Sequence, residues 1–205
     1  MKEILREYKA KEKDIKQRLK EFSYLRKAST EDIFYELCFC IMAVQTSGLR
    51  SWKVVEKLKE QDFFNTGENP KNFLRQGYVR FHNNKTRHLL EAREKFAEII
   101  SVLREEKNVD LLREWLVKNV KGVGYKEASH FLRNIGMTQE LAIIDRHILR
   151  NMLRYRTISE IPKSISRKKY LELEQKFQNF SKRLELTPAA LDLFFWAKET
   201  GVVFK

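Results

Sequence analysis

"KGVGYKEASHFLRN", residues 121–134, sets a glycine bend between two stretches of helical periodicity. Val109, Leu112 and Trp115 mark the helix before it, and Ala128, Phe131 and Leu132 the helix after it. Gly122 and Gly124 flank Val123, and Lys126 follows two positions beyond the second glycine. Glycine suits a backbone that takes positive φ or approaches another group closely. A helix, a tight turn and a second helix then follow in order. Turn glycines leave N–H groups uncovered, and the next helix adds its own unpaired N–H groups and the positive end of its dipole. Together they make an anion site that can hold a nucleic-acid phosphate without reading a base. An ordinary interhelical turn has the same local look, so the rest of the chain has to decide.

Charge decides first. The 205 residues carry 41 Lys+Arg against 28 Asp+Glu, a formal net charge of +13. That balance favours a polyanionic partner, with nucleic acid ahead of an anionic membrane surface. At 42% hydrophobic and 12% aromatic residues the chain is not globally disordered. Cys38 and Cys40 lie in the apolar run "FYELCFCIMAV" and read as small buried hydrophobes. Two cysteines make no four-ligand metal or iron–sulfur site, and the 4 histidines do not complete one, so no such metal site is expected. The N-terminal stretch "MKEILREYKAKEKDIKQRLK" is charged throughout and reads as no secretory signal, and no apolar run reaches membrane-spanning length. An intracellular protein of the cytoplasm or nucleoid, acting as a monomer without a membrane partner, is the expectation.

Helical spacing recurs along the whole chain. Ser29 stands three before Asp32 in a capping-box-like start to an apolar helix through Phe34, Leu37 and Ile41. Asn84 is placed to cap a long helix through Leu89, Phe96 and Leu103, whereas "DFFNTGENP" and "RQGYVRFHNN" read as irregular. Gly136 suits a helix C-terminus, and Thr187-Pro188 a helix start that ends at Gly201. "LAIID", residues 141–145, is the one strand-like run. An all-α fold follows, in two helical lobes with an active-site cleft between them. One lobe spans 29–146 with the hairpin at about 120–125, and 1–28 joins 147–205 in the other.

Two readings of Lys126 fit its place. It is a solvated phosphate contact, or it is a nucleophile, because the positive field of a helix N-terminus together with burial favours the neutral amine. Asp145 caps the helix that starts at Arg146. The same carboxylate can also stabilise positive charge developing on a sugar, or relay protons. The two Asp145 roles are compatible.

Three motifs in order, "IMAVQTSGLRSW", "VKGVGYKEA" and "LAIIDRHI", make the chain resemble the helix-hairpin-helix DNA glycosylase superfamily over roughly residues 30–150. With two cysteines it departs from the four-cysteine endonuclease III branch, and no N-terminal β domain is read in it. The ending "DLFFWAKETGVVFK" is similar to that of the compact, archaeal-type 8-oxoguanine DNA glycosylase/AP lyases. The resemblance implies a bifunctional enzyme acting on double-stranded DNA that contains oxidised guanine. Lys126 would attack C1′ and form a Schiff base, with β-elimination to follow, and Asp145 would stabilise the sugar. Gly122 and Gly124 would bind the DNA backbone, and Gln45 would fill the gap left by the extruded base. Phe81, Asp192, Trp196 and Lys205 would make the base pocket, although core packing serves Phe81 and Trp196 equally well. The same chemistry on another oxidised base such as thymine glycol, and a non-catalytic DNA-binding module, remain the alternatives.

Overall fold

Side chains that recur every three or four residues bury a stripe only if the chain coils as a helix, and helices account for every regular element found. The computed structural model describes residues 2–205, and no strand occurs among them. In order come α1 (Lys2–Lys9), α2 (Glu12–Leu25), α3 (Thr30–Ala43), α4 (Gly48–Glu60), α5 (Phe63–Thr66) and α6 (Lys71–Gln76). They are followed by α7 (His82–Glu94), α8 (Phe96–Glu105), α9 (Val109–Asn119) and α10 (Tyr125–Asn134). The last three are α11 (Arg146–Arg154), α12 (Arg167–Arg183) and α13 (Pro188–Thr200). The chain divides into two compact units, Lys27–Phe131 and Met1–Arg26 with Leu132–Lys205.

In the first unit α3 is the central element. Ser29 Oγ accepts the Asp32 N–H at 3.0 Å, closing the first turn as its spacing suggests. Every residue from Ile33 to Met42 is buried, Glu36 included, so α3 is enclosed on all sides. Phe34 meets the rings of Tyr35, Phe63, Phe64 and Phe96 at centroid separations of 5.1–5.8 Å. Short α5 therefore exists because Phe63 is anchored in this cluster, inside a stretch whose composition reads as loop. Asn84 lies within α7 rather than capping it, since α7 starts at His82 behind Phe81. The expected single helix from Asn84 to Leu103 is two helices, α7 and α8, that part at Lys95.

The second unit gathers α1, α2, α11, α12 and α13. Phe194 and Phe195 are buried at 2% and 0% exposure, and Tyr155 stacks on Phe195 at 5.6 Å with the rings 11° apart. Gly136 ends α10 at φ 71°, and a Cβ there would stand 2.4 Å from the Phe22 carbonyl oxygen, so both conformation and space require glycine. The strand-like run 141–145 pairs with side chains of α12 instead of another strand. Ala142 N–H donates to Glu174 at 3.0 Å, Tyr170 O–H donates to Ala142 O at 2.8 Å, and Ile144 N–H donates to Tyr170 Oη at 3.3 Å. These bonds, with Arg133 over the Phe22 ring at 4.8 Å, bring 132–145 into this unit. The division by contacts falls after Phe131, inside α10, whereas the reading of the sequence sets the lobe boundary at residue 146.

Candidate active site

The bend between α9 and α10 is tight. Val123 N–H reaches Val120 O at 3.3 Å, and Ala128 N–H reaches Gly124 O at 2.9 Å to begin α10. Gly122 has φ 81°, and a Cβ would lie 2.4 Å from His88 Nδ1, so the imidazole of α7 packs where a side chain would otherwise stand. Burial first, then Arg87 beside it, hold the His88 imidazole below its usual pKa range. The Gly124 N–H is engaged: it donates to Glu127 Oε2 at 3.2 Å. Glu127 was not singled out in the sequence, yet its carboxylate occupies the mouth of the anion site. Its other oxygen lies 3.8 Å from Lys126 Nζ. Lys126 is the second residue of α10, its side chain 22% exposed. The amine is thus partly withdrawn from water at a positive helix end.

A second constellation in the same unit surrounds Gln45. This exposed residue has φ 50°, an uncommon conformation for anything but glycine. Two residues of the α6–α7 connection share it, Tyr78 at φ 53° and Phe81 at φ 57°. Phe81 is 53% exposed with Arg80 over its ring at 5.4 Å, so core packing is not its role. Between these loops lies Lys85, 4% exposed. Its ammonium donates to Met42 O at 2.7 Å, Val44 O at 2.5 Å and Thr46 Oγ1 at 3.1 Å. Thr46 Oγ1 also accepts the Arg80 N–H at 3.1 Å. Burial pushes Lys85 from its ordinary 10.5 down to about 8, with Glu127 working against the shift and Arg80 and Lys126 adding to it. The sequence held one signal for this residue: Lys85 stands four before Leu89 and seven before Ala92, on the apolar stripe of α7.

The second unit holds the other expected residues. Asp145 Oδ1 accepts the Ile148 N–H at 2.9 Å and so caps α11 as its place implies, leaving one carboxylate oxygen for other work. Trp196 is half-buried, its ring edge-on to His147 at 5.0 Å, and its indole N–H is buried without an acceptor among the described residues. His147 in turn pairs with Glu199, which also accepts from Asn151 at 3.1 Å and faces Arg150 at 3.6 Å. Asp192 is buried beside Arg133, with Nη2 3.4 Å from Oδ2, so part of its accepting capacity is used internally. Lys205 is half-buried. No helix among the described residues is long and apolar enough to cross a membrane.

An all-helical chain with a glycine hairpin, a first-turn lysine and an aspartate capping the following helix defines the helix-hairpin-helix class of DNA repair proteins. A family model described as 8-oxoguanine DNA glycosylase matches residues 15–186. The chain belongs to that family. It is 40% identical to the 8-oxoguanine DNA glycosylase/AP lyase of Fusobacterium nucleatum, across 99% of this chain and 96% of that one. It is 37% identical to the 8-oxoguanine DNA glycosylase/AP lyase of Methanocaldococcus jannaschii, across 93% and 91% respectively. The crystal structure of the Methanocaldococcus jannaschii glycosylase superposes with a TM-score of 0.90 over 100% of this chain and 95% of that one, at 37% identity. The crystal structure of that organism's enzyme in complex with a 15mer DNA containing 8-oxoguanine gives 0.88, at 34% identity over 98% and 99%.

Proposed function

We propose that the chain is a monomeric, intracellular 8-oxoguanine DNA glycosylase and AP lyase acting on double-stranded DNA, with Lys126 as nucleophile. The observation that carries this reading is the partly buried Lys126 amine in the first turn of α10, directly behind the Gly122 bend. The N–H groups of the bend and of α10 hold a backbone phosphate without reading sequence. At Gly124 that requires Glu127 to give up its hydrogen bond, so Gly122 and the first turn of α10 carry the initial contact. The damaged nucleotide leaves the stack, at an expense of a few kcal/mol that stacking in a pocket offsets. Phe81 and Trp196 supply the stacking faces, Asp192 and Lys205 address the base edge, and Gln45 fills the vacated space.

Lys126 Nζ then attacks C1′ as the glycosidic bond breaks, and the base departs with the bonding electrons and takes up a proton. Asp145 stabilises the positive charge that builds on the sugar. Ring opening gives the Schiff base between Lys126 and C1′. Loss of a C2′ proton then breaks the C3′–O bond and cuts the strand by β-elimination. No step calls for a metal or an organic cofactor. Borohydride trapping tests the scheme, because only a Schiff base is reduced to a stable covalent adduct. Lys126→Gln abolishes the adduct while most DNA affinity stays. Undiminished adduct in that variant eliminates Lys126 as nucleophile, and faster cleavage of thymine glycol than of 8-oxoguanine overturns the substrate.

A further inference from the structure

We infer that Lys85 is a positioning residue that sets the Gln45 turn and the Phe81 loop in one register for base extrusion. The inference rests on the reading of Gln45 and Phe81 given above and adds the device that holds them. α3 ends at Ala43, so the last carbonyls of the helix lack intrahelical partners. An ammonium has three protons, and Lys85 directs them at Met42 O, Val44 O and Thr46 Oγ1. Two of these acceptors flank Gln45 immediately, and its left-handed φ of 50° is thereby fixed from both sides. The third acceptor carries the effect across to the other loop. Thr46 Oγ1 receives the Arg80 N–H one residue before Phe81, whose own φ is 57°.

Left-handed non-glycine residues persist where the surroundings over-determine them. Here the over-determination has an identifiable source, a single buried cation on α7. Lys85 also lies at the N-terminal end of the helix that supplies His88 to the hairpin. Its three hydrogen bonds go to Met42 O at the end of α3 and to Val44 O and Thr46 Oγ1 of the loop that meets the gap, and none goes to a residue assigned to the chemistry. Lys85 therefore acts on extrusion and on holding the flipped state, and not on bond cleavage itself.

The test is a double-mutant cycle between Lys85→Met and Gln45→Ala, read as single-turnover excision of 8-oxoguanine from duplex and as cleavage of a preformed abasic site. Lys85→Met slows excision roughly 10-fold to 100-fold, the scale of a misplaced positioning group. It affects abasic-site cleavage much less, because no base has to be extruded. The double variant is no slower than the worse single variant, since both act through one turn. Normal excision by Lys85→Met, or losses that multiply in the double variant, overturns the inference. Normal excision by both Gln45→Ala and Phe81→Ala instead overturns the roles given to those residues, a separable result. Should Lys85→Met fail to fold by circular dichroism, Thr46→Val removes the shared acceptor with little change of shape. Slowed excision by folded Thr46→Val upholds the linkage, and wild-type excision overturns it.

Discussion

A lysine in the first turn of a helix works against the local field, and a capping aspartate works with it; Lys126 and Asp145 are one of each. This difference makes Asp145 separable into its two roles. Asparagine caps a helix about as well as aspartate, so Asp145→Asn keeps α11 and removes only the charge. We expect an unchanged thermal midpoint and a loss of turnover of about 100-fold or more, the range for removing a group that meets transition-state charge. Near-normal turnover in single-turnover assays returns Asp145 to capping alone. Lys85 gives a pH dependence of definite sign. Glu127, Arg80, Lys126 and His88 are the charged or titratable groups that act on it or feel it, and burial brings it to about 8. Above that pH the ammonium loses one of its three protons and its charge-assisted hold on the Gln45 turn. The ratio of wild-type to Lys85→Met excision rates therefore shrinks between about pH 7 and pH 9.5, as Lys85 itself loses its proton. A constant ratio defeats this expectation. Unfolding does not mimic it. Between about 8 and 10.5 the unfolded state binds the proton at Lys85 and the folded state does not, so this group adds stability as pH rises through that window.

At the scale of elements, α3 and the α9–α10 bend were the most legible. Ser29 caps α3, Asp145 caps α11 and Thr187 with Pro188 opens α13, because each device is local and written in adjacent residues. What escaped reading depends on partners far away in sequence. Short α5 forms because Phe63 joins the Phe34 cluster, and the run 141–145 avoids strand pairing because Glu174 and Tyr170 meet its backbone. Of the candidate site, the spacing points to Gly122 and Lys126, whereas Lys85 and Glu127 acquire meaning only when α7 and α10 supply their contacts. The Phe34 cluster carries its own expectation. Phe34 is fully buried among four rings, and Phe34→Ala destabilises the protein by about 3–5 kcal/mol. Urea unfolding measures this, and a loss below about 1 kcal/mol shows that the site collapses around the missing ring. The bend gives a contrasting case. Gly122→Ala introduces a Cβ both at φ 81° and against His88, so it weakens DNA binding by moving the bend itself.

Over the whole molecule a net charge of +13 makes binding of DNA a counterion-release process. The logarithm of the association constant falls linearly with the logarithm of salt concentration, with a slope of about −0.9 for each phosphate neutralised. The slope counts phosphate contacts, and this makes it a test of what Lys126 does. A lysine that grips the backbone removes about one unit from the slope when it is replaced by glutamine. A lysine directed at the sugar, with Glu127 as its nearest carboxylate at 3.8 Å, contributes no released counterion. We therefore expect Lys126→Gln to leave the salt dependence of duplex binding parallel to that of the wild type, measured by fluorescence anisotropy at several salt concentrations. A backbone lysine of the hairpin such as Lys121, exposed and adjacent to Gly122, provides the opposite behaviour when replaced by glutamine, a slope shallower by about one. If Lys126→Gln produces that shallower slope, the lysine is a phosphate contact and the covalent scheme loses its nucleophile.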